Sequence, residues 1–112
     1  MTQSLTTANP KVLIGKLMKP EMTINELGTK FWLLNDLLHR EDGPAVEQAN
    51  GTKEWWLNGK LHRTDGPAIE WPNGTKDWYL NDEEVTWKQL FRNANGDLEK
   101  ECRILTYALT TS

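Results

Sequence analysis

A sequence repeat of 23 residues occurs twice in this 112-residue chain. When the copies are aligned on Gly28, Gly51 and Gly74, residues 29–51 and 52–74 are identical at 15 of 23 positions, and a third copy stops part-way. Repeats of about 20 to 50 residues are typical of stacked architectures, in which one unit cannot bury its apolar face without a neighbour. The sequence therefore predicts two full units and one half unit packed side by side.

Turn residues divide each unit into short segments. Asn-Gly occurs at residues 50–51, 58–59 and 73–74, and Asp-Gly-Pro occurs at residues 42–44 and 65–67. Short runs of Trp, Leu, Val and Ile between such turns are typical of β-hairpins, and this density of Gly and Pro excludes helix. We predict a mainly β (α+β) fold, an antiparallel meander of stacked 23-residue β-hairpin repeats with a C-terminal helical cap.

The length of the Asn-Gly loop determines which side chains share a face of the sheet. A two-residue loop would pair Val46 with Trp55, whereas a three-residue loop with Gly in the left-handed conformation would pair Glu47 with Lys53. Burying a Trp or Ile is worth about 2 to 3 kcal/mol, against roughly 0.2 to 1 kcal/mol for a cross-strand charge pair. This comparison favours the two-residue register, although Pro72 favours the longer turn.

In the favoured register, one face of the sheet carries two aromatic rings beside four carboxylates. Such a face can bind Arg or Lys side chains by stacking and by charge together. We predict that it binds a protein partner with a basic surface, unless the N-terminal segment or the C-terminal helices cover it. The predicted partner-binding residues are Trp56, Tyr79, Glu47, Glu54, Glu70 and Asp77.

The charge distribution favours a protein partner over nucleic acid. Residues 41–84 contain ten acidic and four basic side chains, a net charge of −6, whereas the flanking segments are weakly basic. Nucleic-acid backbones are bound by clusters of Lys and Arg, so we expect no direct contact with nucleic acid. An acidic segment suits a basic partner, and the simpler alternative is that its charge only keeps a tryptophan-rich sheet soluble.

The remaining bulk features point to one small cytoplasmic domain. Six tryptophans must supply much of the core in a chain of this length. Cys102 is the only cysteine, which excludes an internal disulfide and fits a reducing compartment. The first ten residues are polar, and the apolar run Val12 to Ile14 is too short to target or span a membrane, so we expect no membrane association.

The segments that flank the repeats have a different character. We predict a disordered tail at residues 1–10, an N-terminal strand and cap at 11–27, repeats at 28–84 and a helical cap at 85–112. The N-terminal strand is expected at Lys11 to Lys19, where it would protect the edge of the first unit.

Two helices are predicted in the C-terminal segment. Thr86 and Gln89 form a capping-box pattern for the first, and Asp97 can cap the second. The second helix carries an apolar stripe at helical spacing, formed by Leu98, Cys102, Leu105 and Leu109. We expect this stripe to close the end of the repeat stack; otherwise it forms a homodimer interface.

The histidines recur at equivalent positions of the repeat. A metal site needs three or four converging ligands, and nucleophilic catalysis needs an oriented base, which no Ser-His pair supplies here. A residue that occurs once per unit suits a structural role, so we predict no enzyme activity, no metal and no cofactor. The Arg-Asp pairs should hold the Asp-Gly-Pro turns, and each histidine should donate to a carbonyl or a neighbouring turn. This structural turn motif comprises His39, Arg40, Asp42, His62, Arg63 and Asp65.

The repeated segment resembles a known repeat group. The motif "LHRTDGPA" at residues 61–68, with its twin from Leu38, is similar to a tandem repeat of small bacteriophage and bacterial proteins that is related to the MORN-type β-hairpin repeat. The resemblance covers Gly28 to about Asp82. It implies a binding scaffold, and a phage setting implies an inhibitor of a bacterial defence system such as CRISPR-Cas, acting in the host cytoplasm.

A second functional hypothesis is sequestration of a small molecule. Tryptophan with a few Arg and His side chains at a unit junction could hold a nucleotide-like signal. The sequence contains no Gly-rich phosphate-binding loop that would support it further.

Overall fold

The computed structural model describes residues 12–13, 16–17 and 19–110. The fold is mainly antiparallel β-sheet with two C-terminal helices, as predicted. The predicted tail at residues 1–10 lies outside the described residues.

The strands are β1 (Val12–Leu13), β2 (Lys16–Leu17), β3 (Glu21–Ile24), β4 (Lys30–Leu34), β5 (Leu37–Leu38), β6 (Val46–Glu47), β7 (Lys53–Glu54), β8 (Trp56–Leu57), β9 (Lys60–Leu61), β10 (Ile69–Glu70), β11 (Lys76–Leu80) and β12 (Glu83–Val85). The helices are α1 (Trp87–Ala94) and α2 (Leu98–Leu109).

Eight of these strands form one antiparallel sheet. Its strand order is β12-β11-β10-β7-β6-β4-β3, and β5 pairs with β4 outside this path. The hairpin β8-β9 leaves the sheet between β7 and β10, and β1 pairs only with β2 in the part of the chain that the structure describes. The chain therefore adds strands to the sheet in sequence order, without a crossover.

Three tight turns have the same left-handed geometry at 23-residue intervals. The central residues are Asn35 and Asp36, Asn58 and Gly59, and Asn81 and Asp82, with φ between 49° and 78°. Two consecutive residues with positive φ define the type I′ hairpin turn, whose twist matches that of the strands. Asn, Asp and Gly tolerate this backbone conformation better than other residues do, which explains why they occupy these positions.

The Asn-Gly loops have the longer of the two lengths considered, so the favoured register is wrong. Val46 is opposite Glu54 and Glu47 is opposite Lys53, and the next hairpin pairs in the same way. Gly51 and Gly74 have φ of +99° and +90°, the left-handed conformation that a three-residue loop requires. The burial comparison failed because it assumed that each tryptophan needs an apolar cross-strand partner.

The N-terminal strand predicted at Lys11 to Lys19 is also wrong as a single strand. Its described residues form the short strands β1 and β2, which pair with each other. The edge of the first hairpin is instead paired with β3, which follows Pro20.

The core is less aromatic than six tryptophans suggested. Among the described residues, Trp78 is the only buried tryptophan, and it packs against Leu90 of α1 and Ile104 of α2. Trp71 is 42% exposed, and the other four are half-buried. The other buried apolar side chains of the described residues include Ala45, Val46, Pro67 and Ala68, most of which are small.

Both helices begin where the sequence predicted. Thr86 and Gln89 form a complete capping box at α1, and the Asp97 side chain accepts the Lys100 N–H at α2. The helices pack on the side of the sheet that carries Trp78. Among the described residues, no helix combines the length and the apolar character that crossing a membrane requires.

The apolar stripe predicted for α2 does not face the sheet. Leu98 and Leu109 are 74% and 78% exposed, Cys102 is exposed, and Leu105 is half-buried. The buried residue is Ile104, which is 0% exposed. The helix carries two competing apolar faces, and helical spacing alone does not show which one meets the sheet.

Candidate functional site

An arginine organises each His-Arg-x-Asp-Gly-Pro loop. Arg63 donates from Nε to Asp65 (3.0 Å) and from Nη1 to the Pro67 carbonyl (3.0 Å) and the Glu70 carboxylate (3.1 Å). Its guanidinium lies over the Trp55 ring, 3.8 Å from the centroid. The guanidinium therefore covers this ring, which needs no apolar side chain from a neighbouring strand. Arg40 makes the same four contacts 23 residues earlier, with Asp42, Pro44, Glu47 and Trp32.

The glycine of each loop is required for close approach of the guanidinium. A Cβ added to Gly66 would lie 2.7 Å from Arg63 Cζ, and one added to Gly43 would lie 2.9 Å from Arg40 Cζ. Any larger residue would force the guanidinium to shift from this position. The Asp-Gly-Pro sequence thus provides a turn and a flat surface for the arginine at once.

Each histidine joins one hairpin to the next. His39 Nδ1 accepts the Asn58 N–H (2.9 Å), and His62 Nδ1 accepts the Asn81 N–H (3.0 Å). The histidines therefore bond to a neighbouring turn as acceptors, whereas we had predicted donors. Within the described residues, no group of three or more His, Cys, Asp and Glu side chains is placed to hold a metal ion.

Protonation of His62 should destabilise the fold. Desolvation by burial lowers the pKa of His62 below its ordinary value of 6.5, and a ring protonated on Nδ1 cannot accept the Asn81 N–H. Because folding lowers this pKa, the folded protein binds the proton less readily than the unfolded chain does. Stability is therefore complete above the unfolded pKa and declines as the pH falls through the folded pKa. The urea midpoint should therefore fall as the pH drops below about 6.5. The variant His62→Gln, whose amide oxygen can still accept, should show a smaller decline, and an equal decline in both proteins would contradict this role.

The structure divides the predicted partner-binding residues between the two faces of the sheet. Glu47 and Glu70 lie on the side of the arginines, where they pair with Arg40 (3.3 Å) and Arg63 (3.1 Å). Glu54 and the three remaining predicted residues lie on the other side, as the register and the alternation of side chains along each strand require.

This other side forms what we call the open face, because both helices pack on the opposite side of the sheet. Its rings and carboxylates are Trp56, Trp71, Tyr79, Glu54, Asp77 and Glu84. Trp56 donates its indole N–H to Glu54 (2.9 Å), and Trp71 donates to Asp77 (2.7 Å). Desolvation and the neighbouring charges of Glu84 and Asp77 raise the pKa of Tyr79.

Sequence reasoning missed Trp71 and Glu84. The two-residue register puts Trp71 on the same face as Val46 and Trp55, and the repeat, which stops part-way through its third copy, does not predict the strand that carries Glu84. The charge pairing of Glu47 with Lys53, together with Pro72, was the signal that would have placed Trp71 correctly.

We call residues 39–44 the first arginine loop and residues 62–67 the second arginine loop. A groove of about 420 Å³ lies between them, on the side opposite the open face. Its charged lining includes Arg40, Asp42, Arg63, Asp65 and Arg103. All three of these guanidinium groups are already paired with carboxylates among the described residues, which offsets the positive charge that a phosphate would need. This arrangement gives little support to a nucleotide-like ligand.

Comparison with known proteins assigns neither a family nor a function to this chain. No protein-family model, curated protein or solved structure matches the chain. The resemblance to MORN-like repeats stays a prediction from the motif at residues 61–68.

Proposed function

We propose that the chain is a non-enzymatic protein-binding module built from stacked 23-residue β-hairpin repeats. Hydrogen bonds that recur at this interval support the stack. The Gly59 N–H donates to the Leu38 carbonyl (2.8 Å), and the Asp82 N–H donates to the Leu61 carbonyl (2.8 Å). The arginine and histidine contacts recur with the same spacing, so successive hairpins are joined by the same set of bonds.

The open face is the proposed binding surface, and its combination of rings and carboxylates is the observation that carries the proposal. The indoles of Trp56 and Trp71 are held by hydrogen bonds to carboxylates, so little side-chain freedom remains to be lost on binding. Ionised carboxylates have further lone pairs that can accept from a second donor. The face therefore suits Arg and Lys side chains of a basic partner.

The specific version of this proposal is a phage-encoded inhibitor of a bacterial defence system such as CRISPR-Cas. It rests on the resemblance of the repeat motif alone, and the acidic charge of residues 41–84 is compatible with a basic target.

The double variant Trp56→Ala, Tyr79→Ala should lose the partner. Truncating two central aromatic side chains of an interface weakens binding by roughly 100-fold or more. Partners captured from a bacterial lysate would be identified by mass spectrometry, and their affinity for purified wild-type and variant chains measured by calorimetry.

Two further variants make this test specific to the open face. Glu54→Gln with Asp77→Asn keeps the shape of the face and removes two charges, so it should weaken binding and reduce its salt dependence. Lys53→Ala with Lys76→Ala changes the opposite face and should leave binding unchanged. Equal affinity of the wild-type chain and the aromatic double variant would exclude this surface.

A further inference from the structure

The two arginine loops differ at their outer edges. In the second loop, Arg63 Nη2 donates to the Tyr107 hydroxyl (3.0 Å), and Asp65 Oδ2 accepts from Arg103 Nη1 (2.9 Å). The Arg63 guanidinium also lies 4.9 Å from the centroid of the Tyr107 ring. Arg103 and Tyr107 are four residues apart and so share one face of α2. An arginine and a tyrosine of one helix therefore cover the edge of the Arg63–Asp65 pair.

The first loop has the same edge, and no helix of the described residues covers it. Within residues 12–13, 16–17 and 19–110, the bonds of the Arg40 guanidinium come from Nε and Nη1, and Asp42 accepts through Oδ1. Nη2 and Oδ2, the two atoms that α2 engages in the second loop, face no such helix here. The Asp42 side chain is 88% exposed, whereas that of Asp65 is 27% exposed.

The groove between the loops is large enough to admit side chains at this edge. Its walls include the first loop at Arg40 and Asp42 and the second loop at Asp65 with Arg103. The first loop carries Glu41, which is 81% exposed, where the second loop carries Thr64. The open edge is therefore more negative than the covered one and attracts a cation more strongly.

We propose that the first arginine loop is a docking site for a helix of a partner protein that presents an arginine and a tyrosine four residues apart. The partner arginine pairs with Asp42, close to Glu41, and the tyrosine hydroxyl accepts from Arg40 Nη2. The contact reproduces the one that α2 makes with the second loop. This site lies on the opposite side of the sheet from the open face, so it does not depend on the function proposed for that face.

The isolated sequence of α2 serves as the probe. A peptide of residues 97–110, stapled through the solvent-exposed positions 98 and 102, would be titrated into the full ¹⁵N-labelled chain. The indole N–H signal of Trp32, under Arg40, reports the first loop, whereas Trp55, under Arg63, also lines the groove. We expect a saturable shift at Trp32 that is larger than any shift at Trp55.

Matched variants test the assigned contacts. A peptide with Arg103→Ala and Tyr107→Phe, and a chain with Asp42→Asn, should each bind at least about 10-fold more weakly, since each loses a hydrogen bond to a charged group. Glu41→Thr gives the first loop the residue of the second and should weaken binding by less than about 3-fold.

Three results would overturn the proposal. The first is no saturable shift at Trp32 with millimolar peptide. The second is a shift at Trp55 instead, which would show that the peptide only displaces α2 of the same chain. The third is dimerisation of the free chain in sedimentation experiments that Asp42→Asn abolishes, which would identify the occupant as a second copy. Because the open face is unchanged throughout, failure here leaves the partner tests with Trp56 and Tyr79 variants intact.

Discussion

Arg63→Ala should destabilise the protein by about 3 kcal/mol, because removing one member of a largely buried ion pair leaves its partners unpaired. The Arg63 side chain is 11% exposed and bonds two carboxylates, one carbonyl and the Tyr107 hydroxyl. Alanine would leave Glu70 without its guanidinium and would uncover Trp55. A small domain has only about 5 to 15 kcal/mol of stability, so the loss should be visible as a large drop in the urea midpoint.

Arg40→Ala is the matched control for this change. Arg40 has the same contacts inside its loop, neither α1 nor α2 lies over it, and its partner Asp42 is 88% exposed. We expect about 1 kcal/mol, as for an exposed pair with some loss of packing. Urea unfolding followed by tryptophan fluorescence would measure both variants. Equal losses would show that coverage by α2 adds nothing to the second loop.

Ile104→Ala should cost about 2 to 5 kcal/mol, the usual range for a large-to-small change in a core. Ile104 is 0% exposed and packs with Trp78 and Leu90, and these three side chains form the buried cluster that joins both helices to the sheet. Only three buried side chains form this cluster among the described residues, so the cavity would remove a large part of it.

Leu109→Ala in the same helix is the control for Ile104. Leu109 is 78% exposed, so its truncation should change stability by no more than about 0.5 kcal/mol. Thermal unfolding by circular dichroism would compare the two. A larger loss for Leu109 than for Ile104 would mean that the stripe predicted from the sequence faces the sheet after all.

The parts of the fold that could be predicted are those set by local chemistry. Asn, Asp and Gly mark the turns because they tolerate positive φ, and Thr86 and Asp97 mark the helix starts because their side chains accept N–H groups there. The register could not be predicted by counting buried apolar area. An arginine stacked on Trp55 covers that ring, and no pattern of apolar residues encodes such a contact.

The site was predictable to a similar extent. The Arg-Asp pairs are two residues apart in the sequence, so the motif itself indicates them. The bond between Arg63 and Tyr107 joins residues 44 positions apart, and only the packing of α2 brings them together. The same non-local packing decided which face of α2 became buried.

The way Trp78 is covered has a consequence for the length of such a protein. Arg40 covers Trp32 and Arg63 covers Trp55, but at the corresponding position the third hairpin has Thr86, which begins α1, and the helices cover Trp78 instead. In the proposed stack, the helical segment terminates the array without depending on how many hairpins precede it. Duplication of one 23-residue stretch would then lengthen the sheet while preserving the helical segment, so evolution could vary the size of the proposed binding surface in discrete steps.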